Sequence, residues 1–307
     1  MKVYPITPRG YCKGVVRAIQ MAKKCATEYP GQPIHILGMI VHNQYIVDAL
    51  EKLNVHTIDH KGATRLELLD EIDEGVVLIT AHGAGTDVFE KAKNKGLIVV
   101  DATCVDVIKT HTLIKEALND GNEILYIGKK GHPEAEGTIA INHDKIHLIT
   151  CKEDIDKLDP EKKYTITNQT TMSLWDVYDI CEYALQALNH VVIAKETCLA
   201  TKIRQEAIAN LNDSIDLVII VGDPHSNNTN KLAEIARTKA NKEVIQIESV
   251  KDLTFDLLKN KKYVAVSSGA STPTYLTQQV IQYLESIPNE FTSLPPFPNI
   301  DFHHILD

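Results

Sequence analysis

The chain has 307 residues, 44% apolar and 24% charged, with a net charge of -9 and a pI near 5.8. That length supplies core for about two or three small domains. The lack of a basic stripe excludes nucleic acid as the main partner, and an anionic substrate must be held by local donors against an unfavourable overall field. The opening MKVYPITPRG has no apolar signal region, and no run of about 18 apolar residues predicts a membrane span. Six cysteines without a signal fit a cytoplasmic protein in a reducing cytosol, its thiols left reduced or bound to metal.

In chain order, the first predicted strand, KVYPIT, leads to Cys12. A helical pattern follows, with Val15, Val16, Ile19, Met21, Ala22 and Cys25 at core-facing intervals, ended by Pro30, Gly31 and Pro33. The strand IHILGMIV runs out at His42-Asn43, and VVLITAHG ends at His82. LIVVDAT then leads to Cys104 and a helix through Val107, Ile108, Leu113 and Ala117, stopping near Gly121. EILYIG is followed by Gly131-His132-Pro133-Glu134, and YTITNQTT passes Thr170. VVIAKE leads to Cys198 and a helix carrying Ile203, Ala207, Ile208 and Leu211. DLVIIVG is followed by His225-Ser226-Asn227-Asn228, and YVAVSSGAS ends at Ser271.

The same order thus occurs three times. The cysteines are 92 and 94 residues apart, and the first polar loops (His42, His132, Ser226) follow their cysteines by 30, 28 and 28. The second strand ends (His82, Thr170, Ser271) follow by 70, 66 and 73. A fixed period of this kind is the mark of a structural repeat. It divides the chain into repeats 1–96, 97–189 and 190–285 with a tail at 286–307. Short apolar strands alternating with helical patterns mean βα units and parallel sheets, whose ligands bind beyond the carboxyl ends of the strands. Every loop and cysteine named above lies there. The expected fold is α/β, three similar domains with parallel sheets in a pseudo-three-fold trefoil around a central cluster cavity. Four of the twelve prolines fall in 288–298, so the tail is a docked extension or disordered.

Each of Cys12, Cys104 and Cys198 opens a helix, where the macrodipole favours a thiolate. Three thiolates suit a cubane iron–sulfur cluster with one iron left open to substrate; three cysteines and water on zinc is the competing metal reading. Cys25, Cys151 and Cys181 lack that setting and read as packing residues. His42, His82 and His132 share the strand-end position, whereas His35, His56, His60, His143, His147 and His190 read as ordinary. With Ser226, Asn228 and Ser271 they form a donor set without lysine or arginine, suited to a phosphate-type anion. Glu134 is the one carboxylate of the set and the evident proton donor; Thr170 is placed to relay or orient that proton. GAGTDV at 83–88 lacks the third glycine of a dinucleotide loop, and no P-loop occurs. With no built-in nucleotide or flavin site, electrons must come from an outside protein.

These residues together resemble the 4-hydroxy-3-methylbut-2-enyl diphosphate reductase family, the LytB-type iron–sulfur reductases that end the methylerythritol phosphate route to isoprenoids. The resemblance runs over nearly residues 1–285 and is carried by GYCKGVVRAI, MIVHNQYIVD, TAHGAG, VDATC, GKKGHPEAEG, TNQTTMS, CLATKIRQEA, GDPHSNNTN and GASTP. It implies one [4Fe–4S] cluster per chain on Cys12, Cys104 and Cys198. It implies an allylic diphosphate held by His42, His82, His132, Ser226, Asn227, Asn228 and Ser271. Glu134 is then the proton source, with His132 beside it and Thr170 on the substrate hydroxyl. The implied reaction is reductive dehydroxylation to isopentenyl and dimethylallyl diphosphate, with electrons from a ferredoxin- or flavodoxin-type donor. Three positions depart from the family pattern: Asn227 stands where many members have serine, Val105 where proline is common, and Ala84-Gly85 where a Val-Ser pair is usual. The alternatives are a redox-neutral cluster dehydratase, which turns over without reductant, and a cluster sensor or scaffold, which leaves the matched loops without a role.

Overall fold

Twelve short strands are present in the structure, a computed structural model that describes residues 1–194 and 198–307. They are β1 (Lys2–Pro5), β2 (Ile34–Leu37), β3 (Val55–Ile58), β4 (Val76–Ile79), β5 (Ile98–Asp101), β6 (Glu123–Ile127), β7 (Ile146–Ile149), β8 (Lys163–Asn168), β9 (His190–Ile193), β10 (Leu217–Val221), β11 (Val244–Ile247) and β12 (Tyr263–Ser268). All nine expected strands are found. The expected VVIAKE is the exception in length: β9 stops at Ile193, and Lys195 and Glu196 lie outside the described residues.

The chain forms two compact units. The larger (Val16–Val41 and Leu50–Leu199) holds two four-stranded parallel sheets, ordered β3-β2-β4-β5 and β7-β6-β8-β9. The smaller (Met1–Val15, His42–Ala49 and Ala200–Asp307) holds the third, β11-β10-β12-β1. The three orders are the same. In each, the chain starts on an inner strand, goes to one edge, and returns to the other side of its start. The crevice between the two inner strands, at their carboxyl ends, is where such sheets bind ligands. The crevices are flanked by the turns after β2 and β4, β6 and β8, and β10 and β12.

Sheet membership differs from the sequence expectation in one respect. The strand before each cysteine was grouped with the helix after it. It pairs backward instead: β5 with β4, β9 with β8, and β1, the first strand of the chain, with β12. A parallel partner must have its backbone groups exposed at an edge, and β4, β8 and β12 each offer one on that side. The edge strands β3, β7 and β11 were not expected from sequence.

Inner strands are apolar throughout because both faces are covered: all of β4 and β10 is 0% exposed. In the smaller unit Leu217, Ile219, Val264 and Val266 pack with Val280 and Leu284 of the helix Thr274–Ser286. In the larger, Leu37, Val77 and Ile79 pack on Leu68, Leu69 and Val88, while Leu125, Ile127 and Ile166 pack on Val177, Ile180 and Ala184. The helix Lys13–Glu28 buries Val15, Ala18, Ile19, Ala22 and Cys25, and the helix Val105–Asn119 buries Val107, Thr110, Ile114 and Ala117. These stripes are narrower than expected. Val16, Ile108 and Ile203 are exposed, each one step of about 100° outside the buried row.

The tail is docked rather than disordered: Tyr283 Oη donates to the Pro295 carbonyl at 2.7 Å, and Phe291 meets the Phe255 ring edge at 5.5 Å. Among the described residues, no helix is long and apolar enough to cross a membrane.

Candidate active site

The expected site residues fall into two groups, one in each unit. In the larger unit the crevice between β6 and β8 carries Glu134. The turn after β6 ends at His132, which caps the helix Pro133–Ile139. Pro133 at the first helical position presets the helical φ and has no N–H to leave unpaired. His132 Nδ1 accepts the Glu134 backbone N–H at 3.1 Å, so the ring proton sits on Nε2, a donor. Glu134 turns inward and is 2% exposed. From the opposite turn, the Thr170 N–H donates to Glu134 Oε1 at 2.7 Å and its hydroxyl to Oε2 at 2.8 Å. Gln169, fully buried, fixes that turn by accepting the Lys129 N–H at 3.0 Å. Burial pushes the Glu134 carboxyl up to about 7, outweighing the Thr170 and Tyr126 donors that favour its ionised form. A glutamate poised there holds or releases a proton near neutral pH.

His82 follows β4, and its ring stands edge-on to His132, the centroids 5.3 Å apart. The turn after it needs glycine at Gly83, where φ is +77° and a Cβ would lie 3.1 Å from Thr103 Cγ2. Next come Ala84 and Gly85, one of the departures from the family pattern, and the structure gives a reason for it. A Cβ on Gly85 would lie 2.5 Å from Ala140 Cβ and 2.4 Å from Asp87 Oδ1, and one on Gly137 would lie 3.2 Å from the Ala84 backbone. The turn that carries His82 therefore sits directly on the helix that carries Glu134. Gly85→Ser is expected to cost about 1–3 kcal/mol by overpacking and to lower the melting temperature by several degrees. Ala140→Gly in the same chain should restore most of that loss. Thermal denaturation of the single and double variants checks both.

Cys104 caps the helix Val105–Asn119, its N–H donating to the Ala81 carbonyl at 3.0 Å. Cys198 immediately precedes the helix Leu199–Ala209. A cleft of roughly 340 Å³ lies along the other face of the Glu134 helix, against Pro133, Glu136, Gly137 and Ala140. It contains none of the expected site residues.

In the smaller unit, Ser226 caps the helix Asn227–Thr238, its Oγ accepting the Thr229 N–H at 3.3 Å. Asn227 and Asn228 begin that helix and are both buried. Asn228 Oδ1 accepts the Ala270 N–H at 2.8 Å, which fixes the amide and leaves Nδ2 a buried donor with no acceptor among the described residues. A buried, unsatisfied N–H is destabilising. At a helix N-terminus, an oxyanion satisfies it. Ser271 Oγ lies 3.5 Å from Ser226 Oγ and donates to the His42 carbonyl at 3.2 Å. Cys12 donates its N–H to Ala270 O at 3.0 Å, the same bond that Cys104 makes to Ala81. Two repeats thus hang a cysteine on the residue before the strand-end donor.

None of the six cysteines is in a disulfide; Cys12, Cys104 and Cys198 are half-buried. Burial raises the thiols of Cys25 and Cys181, the latter to about 11, and Cys151 is exposed. Metal ligation requires the thiolate, which burial disfavours at Cys25 and Cys181. Sequence reasoning missed several supporting residues. Tyr126, fully buried, points its hydroxyl at Glu134 Oε1 from 3.4 Å. Arg65 Nη2 donates at 2.9 Å to Thr80 Oγ1, which lies 3.5 Å from His82 Nδ1. Arg204, buried, donates to the Gly10 carbonyl at 2.7 Å, behind the Cys12 turn. Each acts from an inner strand or a helix flank where polar residues carry no motif of their own.

A family model described as LytB protein matches residues 3–285. A 4-hydroxy-3-methylbut-2-enyl diphosphate reductase of Brevibacillus brevis is 50% identical over 287 residues, 93% of this chain and 92% of the relative. One from Macrococcus caseolyticus is 45% identical and covers 100% of this chain and 96% of its own length. The solved structure of the E-1-hydroxy-2-methyl-but-2-enyl-4-diphosphate reductase from Plasmodium falciparum is similar at a TM-score of 0.86. It is 30% identical and covers 99% of this chain and 98% of that one.

Proposed function

The chain belongs to the LytB protein family, and on that premise we propose that it reduces (E)-4-hydroxy-3-methylbut-2-enyl diphosphate to isopentenyl and dimethylallyl diphosphate. Two electrons and two protons enter, the allylic C–O bond breaks, and water leaves. Cys12, Cys104 and Cys198 would hold a [4Fe–4S] cluster. Bound there, such a cluster supplies the electrons, received from an external donor protein, and a Lewis-acid iron.

The observation that supports this reading most strongly is the Glu134–Thr170 pair. When Glu134 is protonated, the Thr170 hydroxyl accepts from it and turns its own proton outward, so the pair passes a proton to the departing hydroxyl oxygen. Burial keeps that proton on the carboxyl to about pH 7. The second proton goes to an allyl carbon, and which carbon receives it decides between the two products. Asn228, Ser226 and Ser271, with His42, His82 and the His132 Nε2 donor, hold the diphosphate, and this fixes the reacting end.

Anaerobically purified protein, assayed for iron and sulfide and then for turnover with a reduced viologen dye, tests the proposal. Both five-carbon diphosphates should appear only with reductant. Turnover without reductant would point to a redox-neutral dehydratase.

The diphosphate assignment has its own check. Asn228→Asp keeps an oxygen that accepts the Ala270 N–H, removes the Nδ2 donor and adds a negative charge that repels an anion. Losing one hydrogen bond to a charged group costs about 1.5–3 kcal/mol, and each 1.4 kcal/mol is about tenfold in affinity. Calorimetric titration with inorganic diphosphate should therefore show binding at least about tenfold weaker. Wild-type affinity in this variant would remove Asn228 from the anion site.

A further inference from the structure

The family match stops at residue 285, yet the chain beyond it reaches two of the turns described above. From the helix Thr274–Ser286 the tail doubles back. Gln279 Nε2 donates to the Asn299 carbonyl at 2.9 Å, and the Asp301 N–H donates to Tyr275 Oη at 3.1 Å. The chain closes in the short helix Phe302–His304, and the next residue, Ile305, is 0% exposed. Two contacts then leave the tail. Tyr11, the residue before Cys12, donates its phenol proton to the Ile305 carbonyl. Tyr45, three residues after His42, sets its ring against Phe302 at 6.1 Å.

We propose that residues 299–307 are a positioning strap for the Cys12 turn, with Tyr11 and Ile305 as its two ends, and that they steady the His42 turn through Phe302. The proposal rests on the reading of Cys12 as a cluster ligand. The Cys12 turn is held on its inner side by Cys12 N–H to Ala270 O, at 3.0 Å, and by Gly10 N–H to Ser268 Oγ, at 2.7 Å. The Tyr11 phenol adds a tether from the turn to the tail. Prolines at 288, 295, 296 and 298 already restrict the unfolded tail. A short segment of this kind opens locally more often than the whole protein unfolds. Each opening removes the phenol tether and lets the turn, with its thiol, move outward.

The test measures thiols in metal-free protein. Iodoacetamide labelling, read peptide by peptide in a mass spectrometer, gives the rate at Cys12, with Cys104 as the internal reference. Ending the chain after Pro298 should raise the Cys12 rate about tenfold, as expected when a local closed state is lost, and leave Cys104 unchanged. Tyr11→Phe, which keeps the ring and removes only the tether, should raise it by about threefold, the smaller share expected of one hydrogen bond. In iron-loaded protein both variants should lose iron to a chelator faster than the full chain. If the truncated chain does not fold, as judged by circular dichroism, Tyr11→Phe alone decides. A Cys12 labelling rate in Tyr11→Phe equal to that of the full chain overturns the proposal. Labelling needs no metal, so the strap is tested even if the full chain carries no cluster; iron content of the full chain tests the cluster by itself.

Discussion

Glu134→Gln is expected to keep its iron, its colour and its affinity for substrate while turnover falls by about 10²- to 10⁴-fold, the usual contribution of a positioned general acid. The amide is isosteric. Its oxygen still accepts the Thr170 N–H, and its NH₂ donates to the Thr170 hydroxyl, so the geometry of the pair survives and the transferable proton does not. Single-turnover kinetics with reduced protein would isolate the step.

The pH dependence follows with a definite sign. An acid must be protonated to donate, so wild-type turnover should be level below about pH 7, where Glu134 holds its proton, and should decline above it. The variant should lack that limb. Stability moves in the same window. In the unfolded chain the carboxyl titrates near its ordinary 4.5, and in the folded chain near 7. The folded state therefore binds the extra proton between those values, and stability declines as pH rises from about 4.5 to about 7. Glu134→Gln removes this term, so the variant should match wild type at pH 5 and melt higher at pH 8. A wild-type rate in the variant would move the proton source elsewhere, with His132 or a water on Thr170 the next candidates.

Cys104→Ser should lose most of its iron and nearly all activity, as should Cys12→Ser and Cys198→Ser. Serine keeps the size and the backbone bond to Ala81, so the fold should stand, but its oxygen is a harder, far less acidic ligand than a thiolate. Cys25→Ser, Cys151→Ser and Cys181→Ser should keep both iron and activity. Two of these thiols are buried in helix cores with raised pKa values, and the third is exposed. Metal analysis and the visible spectrum of anaerobic preparations read the outcome directly. A Cys104→Ser protein with wild-type iron and activity would remove that cysteine from the ligand set.

The sequence by itself determined the parts whose signal is local. Inner strands such as VVLI and LVIIV are covered on both faces and must be apolar along their whole length, so they stand out as runs. Cysteines that open helices, and polar turns that end strands, recur at a fixed spacing because each repeat builds the same crevice. That was enough to pick out Glu134, Thr170, His132, Asn228 and Ser271 as candidates before any coordinates. The edge strands β3, β7 and β11 carry a weaker signal, since an outer strand of four residues is covered less and tolerates polar positions such as His56 and Gln246.

Tertiary structure alone decided the rest, because the deciding partner is far away in the chain. β1 pairs with β12 across some 260 residues, and no local pattern states which sheet has the open edge. The displacement of Val16, Ile108 and Ile203 out of the buried rows is likewise a matter of what packs against each helix. So is the chemistry at Glu134. The sequence marks Glu134 as the candidate acid, but what raises its carboxyl to about 7 is burial beneath Thr170 and Tyr126, which arrive from β8 and β6. Asn228 is a free-standing amide in the sequence. It becomes an oriented donor only when Ala270, 42 residues on, takes its oxygen. The tail shows no periodicity because aromatic contacts and carbonyl acceptors hold it, and these leave no repeating pattern. Its path to Tyr11 joins the two ends of the chain, which only folding brings together.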